Sequence, residues 1–265
     1  MTISISSIAW NTAIEPEVFR VLRAHNIMHL DIAPSQYFHN IEETTDSEVL
    51  KVKDYFFQNG FTLVGMQSLL YGTSGFNVFA EATVQNKMLA YLQKVAHIAS
   101  LLGATKLVFG SPRNRDCAVV AQDQVTEIAQ KFFYRLGDIA AQERVTFCLE
   151  ANPTCYGTNF LTTTSETFEF VKTLDHPQIK LQLDIGTVLT NKEPFTLIDQ
   201  VSDYIGHIHI SQPQLQAINR TYPHGELSPF LSRLPLIKTI EMTTGSEPIE
   251  NITRSLAVVQ EYYGN

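Results

Sequence analysis

Val145–Asn152 reads Val-Thr-Phe-Cys-Leu-Glu-Ala-Asn, an apolar and β-prone run that stops on a carboxylate, Glu150. Three later runs close in the same way. Lys180–Asp184 (Lys-Leu-Gln-Leu-Asp) stops at Asp184, Ile205–Ile210 (Ile-Gly-His-Ile-His-Ile) at His209, and Leu236–Glu241 (Leu-Ile-Lys-Thr-Ile-Glu) at Glu241. The steps between these four residues are 34, 25 and 32 positions. Each step has the length of a helix, a strand and two loops. Parallel strands joined by helical crossovers bring their C-terminal ends to one rim, and in a (β/α)₈ barrel that rim carries the site. One polar strand end means little, because a strand commonly ends where it meets solvent. Four in succession at crossover spacing point to a shared rim.

Two Glu, one Asp and one His converging there form a hard, mostly oxygen donor set. It suits one divalent ion, Mn²⁺ or Mg²⁺ first, with Zn²⁺ or Co²⁺ as alternatives. Side chains alternate along a strand, so residue i−2 shares the face of residue i. Beneath Glu150, Asp184 and His209 this rule places Cys148, Gln182 and His207, expected to hydrogen-bond the ligands from below. Further candidates lie at other strand ends. Gln67 follows the third strand and is a partner for a substrate hydroxyl. Arg113 and Arg115, in Gly110–Arg115 after the fourth strand, read as a clamp on a substrate phosphate or carboxylate, or as a solvated loop on an acidic surface. His224, after the seventh strand, lines the pocket or merely opens a helix.

Composition limits the partners. The chain has 265 residues, 44% hydrophobic and 17% charged, enough for one barrel domain over 1–265. The formal net charge of −8 argues against nucleic acid, whose affinity comes from Lys and Arg on phosphates. Three cysteines, Cys117, Cys148 and Cys155, suit a reducing compartment better than a disulfide framework. No signal peptide or membrane span is read, so the expected location is the cytoplasm. Oligomeric state is not legible.

Along the chain, Ile3–Ala9 alternates as a strand. Helical spacing follows over Glu15–His25, Asp46–Asn59, Thr83–Leu102 and Gln122–Glu143, with strands Ile27–Ile32, Phe61–Met66 and Thr105–Phe109 between them. Leu69–Ala82 is long for such a connection and carries Gly72, Gly75 and aromatics, which predicts a lid over the mouth. Ser165–Leu174 reads as a helix with Ser165 as its N-cap. A shorter helix is expected near Pro194–Val201, and Ile249–Tyr263 closes the chain.

On Glu150, Asp184, His209 and Glu241 the chain resembles the sugar phosphate isomerase/epimerase superfamily. These are the xylose-isomerase-like TIM barrels that include D-tagatose 3-epimerase and endonuclease IV relatives. The resemblance implies a (β/α)₈ barrel and one divalent ion on this quartet. It also implies an isomerase or epimerase acting on a small sugar, sugar phosphate or polyol through an enediolate, with Glu150 and Glu241 moving protons. Three positions depart from the family pattern. Asp184-Ile185-Gly186-Thr187 lacks the His of Asp-x-Gly-His, and Tyr156 and Leu215 stand where ketose epimerases carry Glu and Arg. Rival readings are a lyase or dehydratase on similar chemistry, an endonuclease IV-like hydrolase, and a non-catalytic metabolite-binding barrel.

Overall fold

The computed structural model describes residues 2–264. Eight parallel strands close a barrel in the order β1 to β8, with β1 hydrogen-bonded to β8. In chain order the elements begin with β1 (Ile3–Ser6), α1 (Glu15–Ala24), β2 (His29–Ile32), α2 (Asp46–Gln58), β3 (Thr62–Met66) and α3 (Ala82–Leu102). They continue with β4 (Lys106–Phe109), α4 (Gln122–Glu143), β5 (Thr146–Glu150), α5 (Thr164–Leu174) and β6 (Ile179–Asp184). After α6 (Ile185–Asn191) and α7 (Leu197–Val201) come β7 (Ile205–Ile210), α8 (His224–Ser232), β8 (Lys238–Ile240) and α9 (Pro248–Tyr263).

Strand alternation sorts the residues into two layers. Ile5, Leu30, Leu107, Phe147, Leu149, Leu181, Leu183 and Ile208 belong to the continuous apolar core and are fully buried. Each such side chain contributes about 1.5–3 kcal/mol by leaving water. Their neighbours Ser4, Ser6, Asp31, Cys148, Gln182, His207, His209 and Thr239 are equally buried. Asp31 on β2 contacts His207 and His209 on β7, and those two strands are not neighbours in the sheet. Such contacts must cross the interior, so the barrel is filled by polar groups while the apolar set faces the helices.

Local chemistry fixes the element ends. Thr45 and Glu48 form a reciprocal capping box at α2, and Gly103 at φ +87° ends α3 in the left-handed conformation that glycine adopts without strain. Three expectations shift. The first strand stops at Ser6, because Ser6 accepts from the Ile8 amide and turns the chain into a 3₁₀ helix over Ser7–Ala9. Thr163, not Ser165, caps α5, accepting from the Glu166 amide at 3.1 Å. Helix α6 starts directly after its N-cap Asp184, in a segment for which no helix was expected.

The segment after β3 packs more firmly than a lid suggests. Leu69, Leu70, Val78 and Phe79 are buried, and the Val78 amide donates to the Asn114 carbonyl at 2.8 Å. Asn114 in turn donates to the Phe76 carbonyl at 2.9 Å. The segment is thus pinned to the loop after β4 and forms a rim. Among the described residues, no helix is long and apolar enough to cross a membrane.

Candidate metal centre and active site

Glu150 and Asp184 are the last residues of β5 and β6, His209 is the penultimate residue of β7, and Glu241 directly follows β8. Each offers one donor atom, and these atoms all lie within 4.8 Å of one another. His209 Nδ1 stands 3.0 Å from Glu241 Oε2 and 3.6 Å from Glu150 Oε1. Both ring nitrogens of His209 are buried without a hydrogen-bond partner. Three carboxylates and an orphaned imidazole so close together are mutually unfavourable unless a cation sits among them. Burial pushes the Asp184 carboxyl up to about 7, reinforced by the charges of Glu150 and Glu241. Burial alone would lower the pKa of His209, but Glu241, Asp31 and Glu150 raise it well above the usual range. A hard divalent ion would supply the positive charge that these carboxylates otherwise draw onto His209, so the donor set fits one.

The four residues singled out in the sequence stand together at the rim, and the groups expected beneath them are arranged differently. Cys148 and Gln182 do lie below them, but Cys148 is sealed in, its thiol pushed up to about 12 by burial, and the Gln182 amide has no partner. His207 bonds Asp31 at 2.6 Å rather than a ligand. The groups that hold the ligands sit elsewhere. Asn152 donates to Glu150 Oε2 at 2.9 Å, and Ser211 donates to Asp184 Oδ1. The Thr187 amide donates to Asp184 Oδ2 at 2.7 Å, so Asp184 is at once a site residue and the N-cap of α6. Gly110 leaves room for Glu150, since a Cβ there would lie 2.4 Å from Oε2. Asn152 and Ser211 each stand two residues after a ligand, so the alternation rule extended upward as well as downward would have found them.

The quartet opens into a cavity of about 490 Å³. Gln67 lines it, as expected, and also donates to Ser6 Oγ. Arg115 does not line it. Its guanidinium is buried and donates to the Glu150 backbone carbonyl at 2.8 Å, with burial lowering it to about 10. Arg113 borders an adjoining cavity that shares Ser68, Ser111 and Pro112 with this one. His224 is buried in the helical layer, contacting the Tyr263 hydroxyl at 2.9 Å and Gln212 at 3.1 Å. Burial lowers its pKa. The clamp expected of Arg113 and Arg115 is therefore absent from the cavity wall, because a long cation here serves strand packing. Thr187, Tyr156 and Leu215 do line the cavity, so the three positions departing from the family pattern sit where a substrate would touch them.

A closed eight-stranded parallel barrel with four ligand-type residues at its C-terminal rim defines a class of fold and site. The chain belongs to the xylose isomerase-like TIM barrel family, whose model matches residues 19–233. Solved structures agree on the fold. D-Psicose 3-epimerase from Clostridium cellulolyticum H10, crystallised with D-tagatose, is 15% identical with a TM-score of 0.78, covering 99% of each chain. The 3-keto-D-glucoside 4-epimerase from E. coli is 14% identical with a TM-score of 0.79, covering 98% of this chain and 99% of that one. L-Ribulose 3-epimerase is 11% identical with a TM-score of 0.78, covering 99% and 94%. No curated protein matches the sequence.

Proposed function

We propose that this protein is a divalent-metal-dependent epimerase or isomerase of an unphosphorylated keto sugar or related polyol. The carrying observation is the convergence of Glu150, Asp184, His209 and Glu241, the three carboxylates lining the cavity and His209 buried beside them. The family and the sugar-epimerase names of the structural neighbours support the same class. Neutral substrate chemistry is favoured by the wall. No Lys or Arg lines it, and its polar groups are amides and hydroxyls such as Gln67, Ser68, Ser111, Thr187 and Gln212. A phosphate in this cavity would find three carboxylates on its wall and no Lys or Arg. The apolar wall of Ile8, Val108, Pro112 and Leu215 keeps water from the ring or chain carbons.

The ion, when bound, supplies Lewis-acid polarisation of a substrate carbonyl and its neighbouring hydroxyl. The chain's own residues then move protons. One of Glu150 and Glu241 takes the hydrogen on the carbon next to the carbonyl, leaving an enediolate. The other delivers a proton to the opposite face of the same carbon, which inverts it. After one turnover the first Glu is protonated and the second ionised, and exchange with water resets them. Asn152 keeps Glu150 aimed during this step by holding its Oε2.

The test is ¹H NMR of neutral pentuloses and hexuloses in D₂O with the Mn²⁺-loaded protein and a brief chelation before recording. The expected product is the epimeric or isomeric sugar, with solvent deuterium on the carbon that lost its hydrogen. Turnover confined to phosphorylated sugars would overturn the neutral-substrate reading. Loss of water from the substrate would assign a dehydratase, and no exchange with any sugar would leave a binding protein.

A further inference from the structure

Asp31 is a buried carboxylate that the proton transfers do not use. It lies on β2, far in sequence from the quartet, and is fully enclosed within the barrel. Its Oδ2 stands 2.6 Å from His207 Nε2 and 3.8 Å from His209 Nε2. The two ring nitrogens of His209 therefore face different surroundings. Nδ1 points at Glu241 and Glu150, and Nε2 points at Asp31. A neutral imidazole carries one hydrogen, and a nitrogen that ligates a metal cannot be the one that carries it.

The chain spends several features on this arrangement. The β2–β3 ladder shifts register between Leu30 and Asp31, and the β6–β7 ladder shifts between Leu181 and Gln182, opposite the two histidines. Such irregularities re-aim side chains next to sites. Gly65 leaves the space Asp31 occupies, since a Cβ there would lie 2.6 Å from Oδ2. The Thr239 hydroxyl sits 3.2 Å from His207 Nε2 and braces it against Asp31. Asp31, His207 and His209 could by distance hold an ion of their own. Their burial and the close Asp31–His207 hydrogen bond speak against it, and a shared His209 would have to lose both ring hydrogens.

We propose that Asp31 is a positioning residue that keeps the hydrogen of His209 on Nε2, so that the Nδ1 lone pair stays available to the ion among Glu150, Asp184 and Glu241. The proposal rests on the ion-site reading above. At 3.8 Å Asp31 acts on His209 Nε2 through its charge rather than through a hydrogen bond, and His207 and Thr239 fix the carboxylate. Asp31→Asn keeps the size and removes the charge, so the hydrogen of His209 is no longer held on Nε2 in preference to Nδ1.

The experiment is calorimetric titration of Mn²⁺ into the metal-stripped full chain and its Asp31→Asn variant, well below both melting temperatures. The expected result is a Kd weakened by about 10–100-fold in the variant, the usual cost of losing such a support. An unchanged Kd in the folded variant overturns the role of Asp31 and leaves the ion site standing. A wild-type chain that binds no Mn²⁺ overturns both. If the variant fails to fold, ¹⁵N-imidazole NMR of the wild type with Zn²⁺ as a diamagnetic probe decides instead. Nε2–H with Nδ1 ligated supports the role, and Nδ1–H overturns it.

Discussion

At the residue scale, the proposed mechanism gives Glu241 two duties that substitution can separate. In Glu241→Gln an amide oxygen replaces the carboxylate, so metal affinity falls. If Glu241 also moves a proton, saturating metal leaves kcat lower by about 10²–10⁴, the usual contribution of one acid–base group. Full recovery of rate at saturating metal would falsify the two-carboxylate mechanism. Arg115 offers a second separation. Arg115→Met removes the hydrogen bond to the Glu150 carbonyl without leaving a buried charge. A hydrogen bond from a charged donor contributes about 1.5–3 kcal/mol. The melting temperature is expected to fall while KM for a neutral sugar is unchanged. A raised KM at constant stability would instead make Arg115 a substrate contact. The quartet was legible in the sequence because ligand-type residues at strand ends at crossover spacing make a long-range pattern. Asp31 was not, because in His-Leu-Asp-Ile it sits inside an apolar run, and only the closed barrel brings β2 across to β7.

At the element scale, the strands were legible from period-2 alternation and the long helices from apolar spacing. Helix α6 was hidden because its N-cap, Asp184, already had a role as a ligand candidate, and Ile-Gly-Thr after it carries no helical signal of its own. The packed segment after β3 was hidden because its anchors are backbone amides and carbonyls, which composition does not report. Three helices meet at one titratable joint. His97 on α3 stands 3.1 Å from Asp46 at the start of α2 and 3.2 Å from Glu143 at the end of α4. Partial burial lowers its pKa, but Asp46 and Glu143 outweigh that and raise it above the ordinary value. A raised folded-state pKa gives stability that is full below the unfolded value, about 6.5, and fades as pH rises through the folded one. The gap in melting temperature between wild type and His97→Gln should therefore be wider at pH 5.5 than at pH 9. Equal gaps would mean that His97 acts through packing alone.

At the scale of the whole molecule, the polar barrel interior and the crowded carboxylates concentrate like charge in the metal-free state. Mn²⁺ at a hundred times its Kd should stabilise the fold by about 2.7 kcal/mol, since it binds only the folded chain. Thermal melts with Mn²⁺ and with chelator measure this, and identical melts would remove the ion from the native state. The four ligands all come from β5 onward, and Glu241 follows the strand that closes the barrel, where the Lys238 amide donates to the Thr2 carbonyl. On the ribosome, which releases the chain N-terminal part first, the ion therefore has no complete cradle until the last strand has emerged and the seam has shut. On the proposed metal site, the ion would not template the nascent fold but would latch a finished one. Added during refolding it should leave the folding rate alone and slow unfolding, the signature of contacts made after the transition state.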